Sequence, residues 1–74
     1  MRAKLFVEQW QRQSKVAKNL LSDAKIAAEI VDIGDTFYGR DVLKSVSGDY
    51  KVPVLAVDGV IYRGLEGVRR FLAR

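Results

Sequence analysis

An α/β fold with one four-stranded mixed sheet, in the order β-α-β-α-β-β-α, is what this sequence predicts, and three observations carry the prediction. Short β-rich runs alternate with stretches whose apolar residues recur at helical spacing. A first strand, a helix and a second strand fit within about the first 33 residues, which suggests a right-handed βαβ unit with parallel strands. Two further β-rich runs directly flank Asp58-Gly59, a dipeptide suited to a two-residue type I′ turn because both central positions need a positive φ.

Each element has its own signal. Ala3-Lys4-Leu5-Phe6-Val7 is apolar and partly β-branched or aromatic, which predicts a buried first strand. Glu8-Gln9-Trp10 follows as a loop. From about Gln11, apolar residues at Val16, Ala17, Leu20, Leu21 and Ala24 make one helical stripe, with Arg12, Lys15, Lys18, Asn19 and Ser22 opposite. Polarity rises over residues 23–27 and ends that helix. Glu29-Ile30-Val31-Asp32-Ile33 has the length and branching of a second strand, and Gly34-Asp35-Thr36 is a loop ending in good N-cap residues. A second helix is expected over about residues 37–47, with Phe37, Val42, Leu43 and Val46 facing the core. Gly39 should weaken its first turn by roughly 1 kcal/mol relative to Ala, and Gly48 is placed for a left-handed C-cap. Pro53, the only proline, lacks an N–H and so belongs at the start of the third strand. The hairpin strands are Val54 to Val57 and Val60 to Tyr62. Leu65, Val68, Phe71 and Leu72 mark a closing helix, whose macrodipole Glu66 and Arg74 complement from its two ends.

Composition narrows the chemistry. The 74 residues are read as one domain, of a size that buries only ~60% of its unfolded surface. Apolar residues make up 49%, too many for a disordered chain. There is no cysteine and no histidine, so disulfides, thiolate catalysis and thiolate or imidazole zinc sites are excluded by inventory. No carboxylate cluster suggests an all-oxygen metal site. The net charge of +4 comes from 13 basic and 9 acidic residues, which describes a mixed soluble surface. With no long apolar run and no signal-peptide pattern, a cytoplasmic protein without membrane contact is expected.

The local match goes further than the topology. Leu43, Ser47, Gly48, Val52, Pro53, Asp58, Gly59 and Gly64 fit the glutaredoxin pattern L-x3-SG-x3-VP-x4-DG-x4-G, and residues 4–21 align without gaps on the glutaredoxin first strand and helix. The chain therefore resembles a glutaredoxin over essentially its whole length. The glutathione transferase N-terminal domain shares a similar V-P-V-L-x-V-D-G stretch, but its usual Glu-Ser pair is replaced by Gly64-Leu65. The resemblance implies a thioredoxin-like fold with strand order 2-1-3-4, the first and third helices on one face and the second on the other. It also implies a cis Val52–Pro53 bond, with the Val52 N–H and C=O turned toward a ligand as in β-strand addition.

The same alignment puts Gln11-Arg12-Gln13-Ser14 where glutaredoxins carry C-x-x-C or C-x-x-S. Gln11 replaces the nucleophile, and Ser14 keeps a hydroxyl at the resolving position without a base to activate it. By resemblance, Glu66 and Gly64 suit the ammonium end of glutathione. Glu8 stands where many relatives have a carboxylate-binding lysine, and so opposes tight glutathione binding. Trp10 is either an exposed contact residue or folded against the first helix, and Phe37 and Tyr38 either approach the groove or join the core.

Three functions are expected on these grounds. The first is a cysteine-less, redox-inactive module, needing no cofactor, that binds a peptide or small anionic ligand through Trp10, Gln11, Arg12, Gln13, Ser14, Val52, Pro53, Gly64, Leu65 and Glu66. The second is a glutaredoxin-type electron-transfer protein whose cysteines were lost or replaced. The third is a basic adaptor for nucleic acid or an acidic protein partner, using Arg12, Lys15, Lys18, Arg63, Arg69, Arg70 and Arg74, although two solvated helix faces are preferred because no nucleic-acid recognition motif accompanies them.

Overall fold

The computed structural model describes residues 1–35 and 38–74. Its elements are β1 (Ala3–Val7), α1 (Arg12–Asp23), β2 (Glu29–Asp32), α2 (Gly39–Ser47), β3 (Val54–Val57), β4 (Val60–Arg63) and α3 (Gly64–Ala73). The sheet runs β2-β1-β3-β4. β1 pairs parallel with β2, Leu5 opposite Ile30, and antiparallel with β3, Leu5 opposite Leu55. The central pair is thus covered on both edges, and its side chains alternate between two apolar layers.

Leu5, Val7, Leu55 and Val57 meet Ala17 and Leu21 of α1 and Val68 and Phe71 of α3 on one face. Phe6 and Val54 meet Ile33 and Leu43 on the other, beneath α2. Tyr62 closes the first layer at the far edge, edge-on to Phe71 with ring centroids 5.2 Å apart. There α3 lies so close to β4 that a Cβ on Gly67 would stand 2.6 Å from the Tyr62 carbonyl carbon.

Several boundaries differ from those the sequence predicts. α1 begins at Arg12 with Gln11 as its N-cap, and Ala24 is its exposed C-cap. The helix stops by a Schellman turn: the Lys25 N–H reaches Ser22 O at 3.0 Å and the Ile26 N–H reaches Leu21 O at 2.9 Å. That turn needs a left-handed residue, and Lys25 supplies it at φ 59. β2 stops at Asp32 because the Asp32 carboxylate accepts from the Gly34 N–H at 2.8 Å, which turns the chain. Ile33 still packs in the core.

α2 starts at Gly39, its ladder opening with Val42 N–H to Tyr38 O at 3.1 Å. The expectation for Phe37 falls outside the described residues. Gly48 is the left-handed C-cap at φ 91, and Asp58 and Gly59 carry the positive φ values, 49 and 87, that the hairpin turn requires. Arg12, Lys15, Arg69, Arg70 and Arg74 are exposed on the α1/α3 side, but Lys18 is half-buried. Arg63, expected on that basic surface, instead reaches the end of α2.

Candidate functional site

Where β1 ends, the chain turns through Glu8, Gln9 and Trp10, and the Gln11 N–H donates to Glu8 O at 3.0 Å. This puts Gln11 at the head of α1. Its Oε1 accepts from the Ser14 N–H at 2.8 Å and from the Ser14 hydroxyl at 2.6 Å. Ser14 Oγ in turn accepts from the Glu8 N–H at 3.1 Å. The other end of the Gln11 amide, Nε2, donates to Val52 O at 2.8 Å. These partners fix the amide's orientation, since the reversed group would set donor against donor at Ser14 N and acceptor against acceptor at Val52 O. The Gln11 side chain is thus a strut between the head of α1 and the chain at Val52.

Ser14 is 1% exposed with its hydroxyl committed in both directions, accepting from Glu8 N–H and donating to Gln11 Oε1. The Val52 carbonyl, expected to face a ligand, already holds the Gln11 amide. Among the described residues nothing accepts from the Val52 N–H, which leaves that donor free.

The Val52–Pro53 peptide bond is cis, and Pro53 O accepts from the Gly64 N–H at 2.8 Å. Beside it opens a groove of about 250 Å³ lined by Gln13, Asp49, Lys51, Val52, Pro53, Val54, Arg63 and Gly64. Its charged wall is built by the α2–β3 turn. Ser47 Oγ donates to Leu43 O at 3.0 Å, the Asp49 carboxylate accepts from the Lys51 N–H at 3.0 Å, and an Arg63 guanidinium nitrogen donates to Ser47 O at 2.8 Å.

Of the residues expected at the site, Gln13, Val52, Pro53 and Gly64 line the groove. Gln11 and Ser14 lie behind it as the strut and its anchor. Leu65 is half-buried against the α1/α3 core layer, while Arg12 and Glu66 are exposed and do not line it. Trp10 is 81% exposed, which rules out a tryptophan folded against α1. Tyr38 is likewise exposed and stands over a second hollow with Ile30, Val31 and Val42. Glu8 faces Arg40 at 3.7 Å across an exposed ion pair.

The groove residues missed by sequence reasoning are Asp49, Lys51, Val54 and Arg63. Lys51 and Val54 flank Val52-Pro53, so adjacency alone would have found them. Arg63 gave no such sign, because only the fold brings the end of β4 against the end of α2. Among the described residues there is no cluster of potential metal ligands, and no helix is long and apolar enough to cross a membrane.

Known structures share this architecture. A mutant of a thioredoxin-like protein superposes with a TM-score of 0.85 at 19% identity, covering 97% of this chain and 95% of that one. Buckwheat glutaredoxin, in a complex with glutathione, matches with a TM-score of 0.81 at 15% identity over 96% of this chain and 67% of its own. A glutaredoxin from Brucella melitensis matches with a TM-score of 0.78 at 16% identity over 99% and 79%. No curated protein matches the sequence. The glutaredoxin family model, however, matches residues 4–62, spanning most of β1, the Gln11–Ser14 strut, Val52-Pro53 and most of β4. The chain, cysteine-free as it is, belongs to the glutaredoxin family.

Proposed function

We propose that this glutaredoxin-family chain binds a peptide or small anionic ligand in the Val52-Pro53 groove and carries out no thiol–disulfide exchange of its own. Exchange needs a sulfur that forms and breaks the mixed disulfide, and the chain has none. One observation supports the reading above the rest. The two positions that the family resemblance gives to the thiol motif, Gln11 and Ser14, are engaged in hydrogen bonds within the chain. Meanwhile the groove beside them stays open, and among the described residues nothing accepts from the Val52 N–H.

Glutathione is the ligand of the buckwheat relative. For this chain we infer weak glutathione binding, because Glu8 opposes a ligand carboxylate. Its exposed partner Arg40 offsets that charge little, since such pairs contribute only about 0–1 kcal/mol.

NMR titration of the whole chain with glutathione and with short extended peptides is the test. Amide shifts at residues 49–54 and 63–64 that saturate at millimolar ligand are expected. Spectra that stay unchanged there would remove the binding reading. A double variant, Gln11→Cys with Ser14→Cys, addresses exchange separately. If it is folded by circular dichroism and reduces a glutathione mixed disulfide, the missing sulfur alone accounts for the inactivity. If it is folded and inert, the groove differs from that of active relatives as well.

A further inference from the structure

The last rung between the β1 and β3 segments lies outside both strands. Beyond the Ala3–Val57 pair, the Asp58 N–H donates to Arg2 O at 3.0 Å, and Asp58 Oδ1 accepts from the Arg2 N–H at 2.8 Å. The Asp58 side chain thus holds Arg2 against the hairpin turn. Gly59 follows it, and both turn residues are exposed. A Cβ built on Gly59 would meet nothing within 4 Å, and among the described residues no acceptor takes the Gly59 N–H. Asp58 is the only aspartate in the chain that precedes a glycine. At such a bond the next peptide nitrogen can close a five-membered ring on the side-chain carbon, because glycine puts no side chain in the way.

We propose that Asp58 is a site of spontaneous conversion to isoaspartate, and that the Arg2 N–H guards it. The Gly59 nitrogen attacks Cγ of the protonated Asp58 carboxyl group. A Cγ–N bond forms, a Cγ–O bond breaks, and the oxygen leaves as water with the carboxyl proton and the Gly59 amide proton. Water then opens the cyclic imide. Where it adds to the Asp58 main-chain carbonyl carbon, the old peptide bond breaks and the chain runs on through Cβ and Cγ, with no net change in mass. Ring closure draws Cγ onto the Gly59 nitrogen and expels one carboxyl oxygen, so the bond from the Arg2 N–H to Oδ1 has to open first. Arg2 lies outside every regular element, and its opening, easier than that of the ladder, sets the rate. The product cannot restore the rung. The carboxyl group that held Arg2 has become main chain, and a turn built for two residues carries an extra backbone carbon.

The intact protein and its Arg2→Pro variant are aged at neutral pH and digested with trypsin. The isoaspartyl form of the peptide 52–63 is then counted by chromatography and by its resistance to a protease that cuts before aspartate. Proline has no N–H to give but keeps the carbonyl that accepts from Asp58. Arg2→Pro is expected to convert about tenfold faster than the parent chain, the size of one hydrogen bond to a charged group. Amide shifts confined to residues 2–3 and 57–60 should accompany the conversion. Asp58→Asn reaches the same imide by losing ammonia and keeps an oxygen for the Arg2 N–H, so it leaves the test decisive if proline disturbs β1. Its deamidation, read by mass, should run about tenfold slower in the folded chain than in the free peptide 52–63 with the same change. Isoaspartate absent at position 58 from every folded form overturns the site. Equal rates in Arg2→Pro and the parent, or in folded and free Asp58→Asn, overturn the guard.

Discussion

Gln11 shows how one side chain can hold two distant parts of a chain in register. It caps α1 through Ser14 and reaches 41 residues along the sequence to Val52. Gln11→Ala should cost about 1–2 kcal/mol in urea denaturation, the upper range for losing a cap, because the bridge to Val52 goes with it. Ser14→Ala should cost a similar amount by stranding the Glu8 N–H; a loss below about 0.3 kcal/mol in both variants would show the network to be ornamental. Trp10 makes the opposite case. At 81% exposure it should show the fluorescence of a solvated indole, and Trp10→Ala should change stability by less than about 0.5 kcal/mol. The Gln11–Ser14 pairing was not readable beforehand. Glutamine is no preferred cap, and its partner at Val52 is brought near only by folding.

The elements themselves were largely readable, and their ends less so. β1, β3 and β4 declared themselves by apolar runs and the Asp58-Gly59 turn. α2 and α3 declared themselves by spacing and, for α2, by Gly48. The end of α1 was legible only as a rise in polarity, because the left-handed residue of its Schellman turn is Lys25 and no glycine stands there to announce it. Lys25 holds φ 59 against steric strain, so Lys25→Gly should raise stability by roughly 0.5–1 kcal/mol, measured as a higher midpoint in thermal unfolding. Gly67→Ala should do the reverse. Alanine favours a helix, but its Cβ at 2.6 Å from the Tyr62 backbone forces α3 away from β4, at a cost of about 1–3 kcal/mol. A stabilising Gly67→Ala would mean that α3 and β4 can part without loss.

At the scale of the whole molecule, two apolar layers share one sheet, and the central strands belong to both. Damage to either layer should therefore melt the other with it. Leu43→Ala, in the layer beneath α2, should cost about 2–4 kcal/mol. The far-ultraviolet signal and the Tyr62 and Phe71 resonances on the opposite face should be lost in one transition. Separate transitions would mean that the layers stand independently. The strands and helical stripes of this sandwich were foreseeable as local patterns, and the family resemblance implied which helix covers which face. Of the groove, Gln13, Val52, Pro53 and Gly64 were foreseeable, whereas Arg63 joins it by tertiary contact. The strut at the head of α1 also couples two ends of the molecule through one residue. Exchanging Gln11 for a thiol removes, in a single step, the acceptor for two Ser14 donors and the donor to Val52. Gln11→Cys should therefore fall in stability at least as far as Gln11→Ala, with Ser14 and Val52 both left without their partner.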